Sequence, residues 1–125
     1  MTDTTIQERY ESEPSTIPAP GDDSLSEFTA RNRQEVNAFL RDNSFLVAIV
    51  QEAGTKIKGH FPKSQLLLET VSDPEGIEPD KLFLYIATHE SPKEARPKLR
   101  AFDKEWWLTE LKRAHGKLCI SLEYL

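Results

Sequence analysis

A chain of 125 residues, 38% of them hydrophobic and with a net charge of −5, has the size of one domain closing one core. No apolar run approaches the roughly 18 to 20 residues that span a bilayer. Cys119 is the only cysteine, which excludes an internal disulfide and a cysteine-based zinc ribbon.

The charge is unevenly placed. Residues 1–27 carry seven acids against Arg9 alone, and residues 28–125 carry fourteen acids against fifteen bases. The acidity therefore belongs to the N-terminal stretch, and the remainder is electrically balanced. Residues 1–24 are rich in Thr, Ser, Pro, Asp and Glu, with prolines alternating with small residues from Pro14 to Gly21. Such a composition buries too little apolar surface to offset its ordering entropy, so a flexible acidic leader is expected there and a single domain over residues 25–125. The leader is polar where a secretory signal is basic and then apolar, and a cytoplasmic, reducing location is expected.

Ser24-Leu-Ser-Glu27 has the capping-box form and predicts the start of a first helix. Phe28, Val36, Phe39 and Leu40 would be its apolar stripe, with Arg31, Arg33, Gln34 and Arg41 facing out. Asn43 or Ser44 can cap a second helix, whose Leu46, Ile49, Val50, Ala53 and Ile57 recur at helical spacing. Residues 45–50 taken alone also fit a buried strand, and Gly54 lowers the helix propensity by about 1 kcal/mol. Gly59 and Pro62 supply a stop.

After Pro62 the period changes from helical to two. Leu66, Leu68 and Thr70 alternate with Leu67, Glu69 and Val71, and Leu82, Leu84 and Ile86 alternate with Phe83, Tyr85 and Ala87. The Ser72-Asp-Pro-Glu-Gly76 segment between them is turn chemistry, so the two strands form an antiparallel pair with a loop over residues 72–80. Ser91-Pro-Lys-Glu94 is a second capping box with proline at the first helical position. Pro97 predicts a kink, and Asp103 is placed to recap a second segment. Ala95, Leu99, Phe102 and Trp106 make one apolar line, with Trp107 and Leu111 beside it. Because neighbouring helical residues point about 100° apart, Trp106 is expected in the core and Trp107 at its boundary. His115-Gly116 ends the helix, and Leu118, Ile120 and Leu122 alternate with Cys119, Ser121 and Glu123 in a third strand.

The expected architecture is a two-layer α+β sandwich of order α-α-β-β-α-β, a three-stranded, mostly antiparallel sheet with helices on one face. The helix-covered face accounts for Leu66, Leu68, Leu82, Leu84, Ile86, Leu118, Ile120 and Leu122. The other face, with Leu67, Val71, Phe83, Tyr85 and Cys119, is too apolar to be simply wet and too polar to be a core, the composition of an interface. These residues and Trp107 are the interface candidates. Glu69, His89 and Glu123 are the candidates for acid–base or divalent-metal chemistry if the strands bring them together. Lys93, Arg96, Arg100 and Lys104 fall along one helix face and are the candidates for phosphate contact.

No phosphate-binding glycine loop, dinucleotide fingerprint or serine elbow is present, and no cofactor is implied. The reading that fits these features is a small, non-enzymatic module acting through protein–protein contacts, as a homodimer or with another protein. A nucleic-acid-associated regulator or antitoxin-like partner using the basic helix is the alternative, and a small metal-dependent enzyme is the third.

Overall fold

The computed structural model describes residue 25 and residues 27–125. The expected leader, and Ser24 of the first capping box, lie outside the described residues. The elements run β1 (Phe28–Ala30), α1 (Arg33–Asp42), α2 (Phe45–His60), β2 (Gln65–Val71), β3 (Lys81–Thr88), α3 (Pro92–Phe102), a π-turn over Asp103–Trp107, a short α4 (Leu108–Glu110), a 3₁₀ turn over Leu111–Ala114, and β4 (Leu118–Tyr124). Among the described residues no helix is long and apolar enough to cross a membrane.

The class is α+β as expected, and the sheet is larger and more mixed than expected. Among the described residues it has four strands in the order β1-β2-β3-β4. β1 runs parallel to β2, β2 antiparallel to β3, and β3 parallel to β4. The strand that sequence periodicity misses is β1, where a helix is expected from residue 24 onward. Phe28 pairs with Leu66 and Ala30 with Leu68, and α1 begins only at Arg33. Its cap is Asn32, held at φ 56° with its side chain accepting from the Glu35 N–H. A short polar residue tolerates this left-handed backbone, which turns the chain from strand into helix.

The second helix is continuous from Phe45 to His60, so residues 45–50 are helical. Ser44 makes no side-chain cap bond, and the Asn43 side chain instead donates back to the Phe39 carbonyl at 2.9 Å, closing α1. Gly54 has a packing reason. A Cβ built there would lie 2.8 Å from Phe28 Cζ, so the absent side chain is what lets the β1 ring approach the α2 backbone.

One face of the sheet and the helix layer make the core. Leu66, Leu68, Leu82, Leu84, Ile86 and Leu118 are buried against Val36 and Leu40 of α1 and Leu46, Ile49, Val50, Ala53 and Ile57 of α2. Phe102 of α3 is fully buried. The capping box at the start of α3 forms as expected, with Ser91 Oγ accepting from the Glu94 N–H and Glu94 Oε1 accepting from the Ser91 N–H. The loop between β2 and β3 is tied by Asp73, whose carboxylate accepts from the N–H groups of Glu75, Ile77 and Glu78. Those backbone bonds hold the Asp73 carboxyl below its usual range.

The helix from Pro92 does change character at Phe102-Asp103, as a π-turn rather than a recapped helix, and Asp103 makes no side-chain cap. The Leu108 N–H reaches back to the Asp103 carbonyl, the wider spacing of a π-turn. The wider turn brings the directions of successive side chains closer together. Trp106 and Trp107 consequently stack, ring centroids 5.8 Å apart and 25° from parallel, and both enter the core, 8% and 6% exposed. The expected division into an inner Trp106 and a boundary Trp107 is therefore wrong, and Trp107, an interface candidate in the sequence, lies in the core. Phe102 joins the cluster at 5.9 Å from Trp106, and a contact of His60 Nε2 with Glu105 Oε1 at 2.6 Å straps the turn to the end of α2.

Truncating either tryptophan should therefore be severe. Trp106→Ala and Trp107→Ala are each expected to lower the unfolding free energy by about 3 to 5 kcal/mol, the range for large aromatic deletions in a core. Chemical denaturation measures both. A Trp107→Ala loss under about 1 kcal/mol would place that indole outside the core.

Candidate functional site

The face of the sheet turned away from the helices is the candidate site, and strand alternation decides its members. Register sets Glu69, Phe83 and Cys119 in one row and Leu67, Tyr85 and Ser121 in the next, with Ala87 beside Glu123. Phe83 and Tyr85, two residues apart on β3, stack with ring centroids 5.6 Å apart. Leu67 and Ala87 are buried and Val71 is 38% exposed, while Phe83, Tyr85, Cys119, Ser121 and Glu123 are half-buried. At the loop end, Val71 and Phe83 line an open recess of about 360 Å³ together with Asp73, Pro74 and Lys81.

The residue that organises this face is Arg31, which the sequence places on the outer side of a helix. It belongs instead to the continuation of β1, its N–H donating to the Leu68 carbonyl at 2.8 Å. From there its guanidinium reaches across the sheet. It lies 5.5 Å from the Tyr85 ring centroid and donates to Glu69 Oε1 at 3.4 Å and to Glu123 Oε2 at 2.5 Å. One cation thus ties β1 to residues of β2, β3 and β4, combining charge-assisted hydrogen bonds with cation–π contact. The Arg31 hydrogen bond holds the Glu123 carboxyl below its ordinary range. Burial, then the neighbouring Glu69 carboxylate, pushes the Tyr85 hydroxyl up.

The structure therefore brings Glu69 and Glu123 together, as the sequence allows, but around an arginine. His89 lies exposed past the end of β3 and hydrogen-bonds to neither carboxylate. Among the described residues no three His, Cys, Asp or Glu side chains are grouped so as to hold a metal ion. The arrangement is an ion cluster in which one guanidinium partners both carboxylates, one positive charge against two negative. Sequence reasoning misses Arg31 because the helix assignment hides the strand that carries it.

The basic candidates sit on the other layer. Lys93, Arg96 and Arg100 of α3 and Lys104 of the π-turn lie on this stretch of the helix layer, with Lys93, Arg96, Arg100 and Lys104 all exposed. Neighbouring Lys98 is committed to Glu90 at 2.8 Å.

Comparison of the chain with protein-family models, with curated proteins and with solved structures finds no match. The site has to be read from its own chemistry.

That chemistry makes a pH-dependent prediction. A carboxyl whose folded pKa is depressed adds stability above its unfolded pKa, and that stability is lost as pH falls through the folded value. Arg31→Gln should therefore return Glu123 towards the ordinary carboxylate range and flatten the acid-side loss of stability. Carboxyl titration by NMR measures the first effect and denaturation between neutral and acid pH the second. An unchanged Glu123 titration would mean that the cluster does not form in solution.

Proposed function

We propose that the chain is a non-enzymatic interaction module that binds another protein surface, either a second copy of itself or a different protein, through the open face of its sheet. The observation that carries this reading is the stacked Phe83–Tyr85 pair beside Val71 and Cys119 on a face where Arg31 already pairs with both Glu69 and Glu123. Interfaces combine aromatic and aliphatic anchors with a polar rim in this way. Arg31 is already bonded to both carboxylates, so docking would bury one excess negative charge rather than three separate unpaired charges, and unpaired buried charge is what penalises such docking.

A second reading keeps the exposed stripe of Lys93, Arg96, Arg100 and Lys104 as a phosphate-contacting surface of a nucleic-acid-associated regulator. Its specific support is the exposure of all four side chains along one stretch of the helix layer. Each phosphate contact would steepen the salt dependence of binding, so titration of DNA or RNA at several salt concentrations separates the two readings.

The direct test of the interaction reading is the Phe83→Lys variant, which places a charge in the centre of the open face without touching the core side of β3. Wild-type protein is expected to retain a partner or a second copy in affinity capture from native extract, and Phe83→Lys to lose it with an unchanged circular dichroism spectrum. Equal capture by both proteins would contradict the proposal.

A further inference from the structure

The two edges of the sheet are built differently. β1 is three residues long, and a short strand is one of the ways an edge is protected from pairing with another chain. β4, at the opposite edge, is seven residues, Leu118 to Tyr124. It contains no proline and no lysine, and its single charge, Glu123, is engaged by Arg31. Among the described residues none of the usual protective devices of an edge strand is present along it.

Two hydrogen bonds fix which backbone groups this edge offers. The Leu82 N–H donates to the Lys117 carbonyl at 2.8 Å and the Leu125 N–H to the Thr88 carbonyl at 2.9 Å. In a parallel ladder this phase turns the odd-numbered residues of β4 towards β3 and directs the N–H and C=O groups of Leu118, Ile120, Leu122 and Tyr124 away from the sheet. No backbone or side-chain partner among the described residues takes those of Ile120 and Leu122. Their side chains point to the helix side, yet both are only half-buried, whereas Leu84 and Ile86 beside them are fully buried. Among the described residues the helix layer stops short of this edge and leaves an apolar ledge beneath a strand edge that none of them pairs.

We infer that the partner for this edge is a second copy of the chain, joined β4 to β4 in antiparallel register about a two-fold axis through Ser121. This inference goes beyond the open-face reading, since it concerns a different surface, the β4 edge, and names the partner that pairs with it. The register follows from the sequence of the strand. With Ser121 opposite Ser121, the outward backbone groups of Ile120 meet those of Leu122 in the other copy, and those of Leu122 meet those of Ile120. A two-fold contact is self-complementary in this manner. On the helix side Ile120 then packs across from Leu122 and Leu118 from Tyr124, apolar against apolar. On the open side Cys119 faces Glu123, so no two like charges meet. The two open faces become one continuous surface on a single sheet shared by both copies.

The full chain tests this in two ways. Light scattering of the wild type is expected to give twice the 14.3 kDa chain mass, and Ile120→Lys, which sets a lysine from each copy diagonally across the axis, is expected to weaken self-association roughly tenfold or more. The register is read by cross-linking. Residues opposite one another in a non-hydrogen-bonded pair have Cα atoms about 4.5 Å apart, within disulfide range. The Cys119→Ser/Ser121→Cys double variant should therefore form a disulfide-linked dimer under mild oxidation. The wild-type Cys119 pair, about four residue steps apart along the seam at roughly 3.3 Å each, should not.

A monomer at every concentration would overturn the inference, and if Phe83→Lys still loses capture the open-face reading survives that result. A dimer that cross-links in the wild type, through Cys119, and fails to do so in the double variant would overturn the register and the inference with it. Unchanged capture by Phe83→Lys, together with cross-linking of the double variant, would remove the face as a binding surface and leave the seam standing.

Discussion

The structure depends on the one-sided burial of its sheet. Leu66, Leu68, Leu82, Leu84 and Ile86 are sealed beneath α1, α2 and α3, and at roughly 25 cal/mol per Å² of apolar surface this burial is the main term opposing chain entropy. Domains of about a hundred residues close a single core and no more. The helix layer is committed to one face, so the second face and the β4 edge have to be accommodated by other means.

Arg31 is how the second face is accommodated. Exposed ion pairs contribute little to stability, so the value of its contacts with Glu69, Glu123 and Tyr85 lies in geometry and charge. It spans the strands, lies against the aromatic row, and bridges two carboxylates that would otherwise repel each other. The result is a face with the mixed composition of an interface whose charges are held together as one bonded cluster. The Trp106–Trp107 stack does the corresponding work within the core, where a π-turn lets two successive indoles share one site.

What is legible in the sequence follows from the range of each signal. Period-two alternation over seven or eight residues identifies β2, β3 and β4 and the membership of both faces, because burial of one side imposes that pattern locally. The Ser91 capping box and the Asp73 turn are likewise local chemistry, and both form. β1 is not legible. Three residues are too few to show alternation, its pairing with β2 crosses α1 and α2, and Ser24 with Glu27 offers a competing helix-start pattern. Without β1 there is no route to Arg31, nor to the reason why Glu69 and Glu123 converge. The burial of Trp107 escapes a reading that carries the α-helical angle of about 100° across a turn that is π-helical. Gly54 reads as a weakness of α2 in the sequence, whereas in the fold it marks the close approach of Phe28.

The open face and the β4 edge, which no described helix or strand covers, are the surfaces we propose another molecule covers. Amide hydrogen exchange along β4, followed over a wide range of protein concentration, tests that claim most directly, since protection reports backbone pairing residue by residue. The N–H groups of Ser121 and Glu123, turned towards β3, should be protected at every concentration. Those of Ile120 and Leu122 should exchange fast when dilute and become protected as concentration rises. Protection of Ile120 and Leu122 that is the same at all concentrations in a monomer, or absent at all of them, would contradict the account.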